Sequence, residues 1–136
     1  MDELICVAFG GKLFGIDRDT GQIRWNVDFS EWNAPIVELV LTPERAFAFS
    51  PHYFLVVNRR TGDVIRKIER KDDAVGQRPV VLHDRDRVFI GAMGAVACYS
   101  TDGDFLWQQP FKGKGYGEMA LGVPGNIRQA DDRGSR

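Results

Sequence analysis

Mostly apolar residues gather in short runs along the chain: Leu4–Phe9, Glu38–Leu41, Ala46–Phe49, Pro79–Leu82, Val88–Ile90 and Ala120–Val123. Runs this short and continuous predict strands covered on both faces. Three further segments align residue by residue. Leu13–Trp25 reads LFGIDRDTGQIRW, Phe54–Arg66 reads FLVVNRRTGDVIR, and Ala95–Trp107 reads AVACYSTDGDFLW. Apolar side chains coincide at Leu13/Phe54/Ala95, Phe14/Leu55/Val96, Ile16/Val57/Cys98 and Ile23/Val64/Phe105. Gly21, Gly62 and Gly103 follow Thr or Asp and lie 41 residues apart both times. A glycine there fits a tight hairpin at positive φ, where a Cβ would clash.

A repeat of about 40 residues built of short strands is the signature of β-propeller blades. The predicted fold is all-β, with antiparallel blades of four strands labelled A to D and about three blades per chain. The blades span 1–32, 33–73 and 74–111, with a closing strand at 118–123. The register runs B-C-D, A-B-C-D, A-B-C-D, A, so the first blade lacks the strand that the last leaves over. Propellers close with roughly four to eight blades. The chain is therefore expected to form a homo-oligomer, a dimer of six blades joined head to tail by strand exchange. Long unpaired apolar edges would otherwise invite aggregation. Residues 126–136 are polar and are expected to form a mobile tail.

Phe14–Trp25 resembles the quinoprotein-type (PQQ-like) propeller repeat, in which an Asp, a Thr-Gly pair and a Trp recur at fixed spacing. The third copy keeps Gly103 and Trp107 but has Tyr99 for Asp and Asp102 for Thr. The second keeps Thr61 and Gly62 but has Arg66 for Trp. The resemblance implies that Trp25 and Trp107 dock adjacent blades, and that Arg66 makes a more polar contact. Quinoprotein dehydrogenases of this family usually add a stacking Trp floor, Ca²⁺ ligands and, in many members, a disulfide between neighbouring cysteines. Cys6 and Cys98 are far apart in sequence. The resemblance therefore points to the non-catalytic scaffold members, with no cofactor.

Composition changes this picture little. With 43% hydrophobic and 27% charged residues among 136, one soluble domain is expected. A net charge of −1 supplies no overall attraction to nucleic acid or an anionic membrane. The second repeat is locally basic through Arg45, Arg59, Arg60, Arg66, Lys67, Arg70 and Lys71. These lack interleaved aromatics and read as a solvated rim. No secretory signal is visible, and no apolar run approaches the roughly 18 residues of a membrane span. Both cysteines occupy apolar strand positions, as reduced core residues of a cytoplasmic protein would.

Chemical motifs are weak. Asp17-x-Asp19-x-Gly21 resembles the start of a calcium loop, but the other copies do not repeat its carboxylates. His52 and His83 lie in different repeats without metal-ligand spacing, and Ser50, His52 and Asp63 lack a nucleophile motif. Lys112–Gly117 is Gly-rich without the Gly-Lys-Ser/Thr ending of a phosphate loop. In a blade, the B–C and D–A connections share one face. The D–A connections 29–36, 70–78 and 111–118 are the long ones, and loops on a rigid scaffold carry function. The candidate binding surface is Trp32, His52, Arg78 and Tyr116, the alternative being that Trp32 only covers its own blade. Two functions follow. The favoured one is a non-catalytic binding scaffold for a protein or small ligand, on the D–A face or in the channel. The other is a hydrolase or lyase whose site forms only in the assembled ring.

Overall fold

The computed structural model describes residues 3–30, 38–75, 79–115, 117 and 119–129. Within them the chain is all-β and antiparallel, as predicted. The first sheet joins β1 (Leu4–Phe9), β2 (Lys12–Asp17) and β3 (Ile23–Asp28). The second runs β4 (Glu38–Leu41), β5 (Arg45–Phe49), β6 (Tyr53–Asn58) and β7 (Val64–Glu69), in chain order. The third repeats that order with β8 (Val80–Asp84), β9 (Arg87–Ala92), β10 (Ala95–Ser100) and β11 (Phe105–Gln109). β12 (Ala120–Val123) and β13 (Asn126–Gln129) form a hairpin. Two compact units contain these sheets, Met1–Glu69 and Arg70–Arg136.

The β12–β13 hairpin corrects the sequence reading in two places. The closing strand is not left unpaired, because β12 pairs with β13 from Ala120↔Gln129 to Val123↔Asn126. The polar segment 126–136 accordingly begins with a strand rather than a tail. Pro124 and Gly125, with Gly125 at φ 83°, make the two-residue turn that folds polar Asn126–Gln129 back. Composition hid this strand because its side chains are mostly exposed and needed no apolar pattern.

The repeated Thr-Gly hairpin has a common construction. Asp17 Oδ1 accepts hydrogen bonds from the Asp19 and Thr20 amides, at 2.8 and 3.0 Å. Asn58 Oδ1 accepts the same pair from Arg60 and Thr61, at 2.9 and 3.1 Å. The threonine hydroxyl then accepts from the residue after the glycine, Gln22 in one copy and Asp63 in the next. Gly21 (φ 76°) and Gly62 (φ 82°) close the turns by donating to the Asp17 and Asn58 carbonyls. In the third copy Ser100 Oγ takes over, accepting from Asp102 and Asp104. Each of these turns is followed by a bulge, which sets Trp25, Arg66 and Trp107 opposite Gly15, Val56 and Cys98.

In the first unit, the two sheets pack through Leu13, Trp25, Phe29, Ala46, Ala48, Leu55 and Val57. Trp25, to which the resemblance gives a docking role, lies in this cluster. It is 7% exposed, and its Nε1–H donates to the Arg59 carbonyl at 3.0 Å. A Cβ on Gly15 would lie 2.3 Å from the indole, and one on Gly62 would lie 2.7 Å from it. The ring thus fills a slot between two glycines. Arg59 ties the same seam, donating to the carbonyls of Pro43 and Leu4.

Trp107 departs from this arrangement. It is 46% exposed, with Phe89 beside it at 6.1 Å between ring centroids. Within the described residues it is not the buried blade contact that the resemblance implied. Trp25 is buried because the next copy's Thr-Gly turn covers it, and among the described residues Trp107 has no such cover.

Candidate functional site

In the second unit the β9–β10 turn, the loop after β11 and the segment before β8 enclose a cavity of about 340 Å³. Its walls are Asp73, Met93, Ala95, Pro110, Phe111, Lys112, Gly113 and Gly115. These are the B–C and D–A connections of one blade, the face on which the sequence placed its candidate surface. Antiparallel strands in chain order deliver both connections to the same end of the sheet.

Met93 and Phe111 are held in left-handed backbone conformations, φ 51° and 49°. Such positions cost roughly 1–2 kcal/mol per residue outside glycine. The Met93-Gly94 turn shows what the cost serves. The corresponding turn of the first blade is Gly10-Gly11, with φ 60° and 78°. Glycine satisfies that geometry without strain, whereas here a long apolar side chain stands at the tip, 50% exposed. Phe111 is 42% exposed on the opposite wall.

The loops are braced from behind. Gln108 Oε1 accepts from the Asp73 amide at 2.8 Å, and Gln109 Oε1 accepts from the Phe111 amide at 3.0 Å. The Lys114 amide donates to the Phe111 carbonyl. Asp73 and Lys112 supply opposite charges beside the apolar side chains of Met93, Pro110 and Phe111, a mix suited to one amphipathic group.

Beneath this wall lies a polar cluster that the sequence did not reveal. Arg70 and Asp72 are buried and paired, with Nη2 to Oδ1 at 2.7 Å and Nε to Oδ2 at 3.1 Å. Arg70 also donates to the Ala74 carbonyl, and the Ala74 amide donates to Asp72. The Tyr99 hydroxyl donates to Asp72 Oδ2 at 2.5 Å. Burial first, then the Asp72 carboxylate, pushes the Tyr99 phenol well above its usual value of 10. Arg70 therefore belongs to the interior, not to the solvated basic rim. The available signal was Tyr99 itself, where the repeat calls for Asp. Ser100 takes over the turn, which leaves Tyr99 to point inward.

Of the sequence candidates, His52 sits exposed at the tip of the β5–β6 turn, in the first unit. Trp32, Arg78 and Tyr116 lie outside the described residues. Asp17 behaves as a turn residue, since Oδ1 takes two amides and Oδ2 takes Arg24 at 2.9 Å. The Arg24 bond, reinforced by those amides, lowers its pKa to about 2. His83 Nε2–H donates to the Arg85 carbonyl at the β8–β9 turn. No group of three or more potential metal ligands occurs among the described residues. Both cysteines are free thiols, and burial raises each pKa above the ordinary thiol value. No described helix is long and apolar enough to cross a membrane.

Sheets of this kind, repeated with a docking turn between them, define β-propeller blades, and solved structures agree. BamB from Moraxella catarrhalis superimposes with a TM-score of 0.60 at 18% identity, covering 78% of this chain and 33% of that one. The Neurospora crassa Pan2 WD40 domain gives 0.65 at 10% identity, covering 82% and 36%. A protein of unknown function from Bacteroides caccae gives 0.56 at 16%, covering 77% and 39%. At these identities the likeness is one of fold, and the chain spans between a third and two fifths of each. No protein-family model matches the chain, and no curated protein matches it.

Proposed function

We propose that the chain is a non-catalytic β-propeller binding module that takes one amphipathic group into the Asp73–Met93–Phe111–Lys112 cavity. The group would be a peptide side chain or a small ligand with an apolar body and a charged end. The observation that carries this reading is Met93, held exposed and left-handed at a turn where the first blade uses glycine. Apolar contact with Met93, Pro110 and Phe111 would supply affinity. Asp73 and Lys112 would set the orientation of the charged end.

Titration of amphipathic fragments and short peptides into ¹⁵N-labelled protein tests the idea. Amide shifts are expected at Asp73, Met93–Ala95 and Phe111–Gly115, and Met93→Lys should weaken binding on the order of 10-fold or more. Shifts confined to other surfaces, or binding indifferent to Met93→Lys, would overturn it.

A further inference from the structure

The second sequence copy shows a finished contact of which two halves recur elsewhere unfinished. Trp25 lies on Gly62 and donates to the carbonyl of Arg59. The residues 41 earlier are Gly21 and Arg18, in a turn built from the same Asx and threonine bonds. Among the described residues beyond its chain neighbours, no atom comes within 4 Å of where a Cβ on Gly21 would sit, so this slot is open. Trp107, the same repeat position as Trp25, is an indole left 46% exposed. The described residues thus include an uncovered Trp and an uncovered Thr-Gly turn of matching construction.

The strand edges tell the same story. β5 and β9 each have a strand on the side away from their hairpin partner, β4 and β8. Among the described residues β1 has none. It is an apolar strand, LICVAF, with Ile5 and Phe9 48% and 61% exposed. β12 occupies the repeat position of β4, 82 residues on, yet its neighbour is β13, the polar strand NIRQ. Replacing NIRQ by LICVAF beside β12 gives up the Asn126 bond to the His83 carbonyl and the exposed Arg128 and Gln129 for a wholly apolar strand, the direction burial favours.

We infer that the partner of this surface is a second copy of the chain. The β1–β3 sheet of that copy displaces β13 from β12, and its Gly21 turn covers Trp107. The docked indole donates to the Arg18 carbonyl, as Trp25 does to Arg59. Carrying the β4–β5 register over by the repeat sets Ala120 opposite Ala8 and Val123 opposite Ile5. Both chains offer the same two half-sites, so head-to-tail contacts close into a ring instead of stopping at one seam. This inference is independent of the ligand cavity.

Light scattering on a sizing column tests it with the 136-residue chain. The expected mass is twice 15.3 kDa. Trp107→Glu should keep the fold, since the side chain is exposed, and should weaken self-association on the order of 100-fold. A second measurement does not depend on that variant. With both native cysteines replaced by alanine, Ala8→Cys protein is mixed with Ala120→Cys protein and oxidised. A covalent heterodimer that forms far faster than either homodimer supports the register. A wild-type monomer at high concentration overturns the inference. So does a dimer that ignores Trp107→Glu and gives no preferential cross-link.

Discussion

Two tryptophans at one repeat position have opposite fates, and their energetics should separate. Trp25→Ala empties a slot walled by Gly15 and Gly62 and should cost roughly 3–5 kcal/mol. Trp107→Ala should cost under about 1 kcal/mol, the range for an exposed substitution, in urea titrations dilute enough for single chains. Asp17 offers an acid-side test. Its pKa is lowered to about 2 by Arg24 and two turn amides, so its contribution is present above the unfolded value, near 4. That contribution fades as pH falls through about 2. Asp17→Asn keeps the turn, as Asn58 does in the next copy. The melting-temperature gap between wild type and Asp17→Asn should therefore close between pH 4 and 2. Tyr99 gives the opposite limb. Its phenol is raised in the fold, so its contribution is complete below pH 10 and is lost as pH climbs through the folded value. Tyr99→Phe should cost about 1–3 kcal/mol at neutral pH and flatten the alkaline decline in melts. Arg70→Met, which leaves Asp72 buried without its cation, should cost about 3–5 kcal/mol.

Strands and turns carry the repeat more faithfully than single residues do. The Thr-Gly hairpin survives replacement of Asp17 by Asn58, which accepts from the same two amides, and in the third copy Ser100, one residue on, accepts from Asp102 and Asp104 instead. A bulge follows in each copy. β12 and β13 are the elements on which assembly turns. Ending the chain at Gly125 should preserve self-association, since β13 is the strand that a partner replaces. Ending it at Glu118 removes β12 and should abolish the dimer. Masses of the two truncations, read by light scattering, check this, and a dimer surviving loss of β12 would refute it.

For the whole molecule, the question is what a set of blades does with its outward surfaces. The second unit offers a cavity lined by Met93, Pro110 and Phe111 with two opposite charges. The seams offer an exposed indole and an open glycine turn. Ligand uptake and self-association use different residues and should be separable. Met93→Lys should lose fragment binding while the mass in solution is unchanged, and Trp107→Glu should do the reverse.

The sequence by itself determined the strand order of the sheets and the hairpins at Gly21, Gly62 and Gly103. Those properties are local, or repeat at a constant spacing, so a linear pattern records them. That B–C and D–A loops share one end was legible too, and the cavity lies there. Its residues were not. Met93 and Phe111 matter through the sign of φ, which the residue types argue against. Tertiary structure alone decided that Arg70 and Asp72 lie inside, where Tyr99 completes their bonding across 27 residues of chain. It alone decided that Asn126–Gln129 is a strand, through an edge supplied by β12. Burial depends on what arrives from elsewhere in the chain: Trp25 and Trp107 are the same residue in the same register, and only packing separates them.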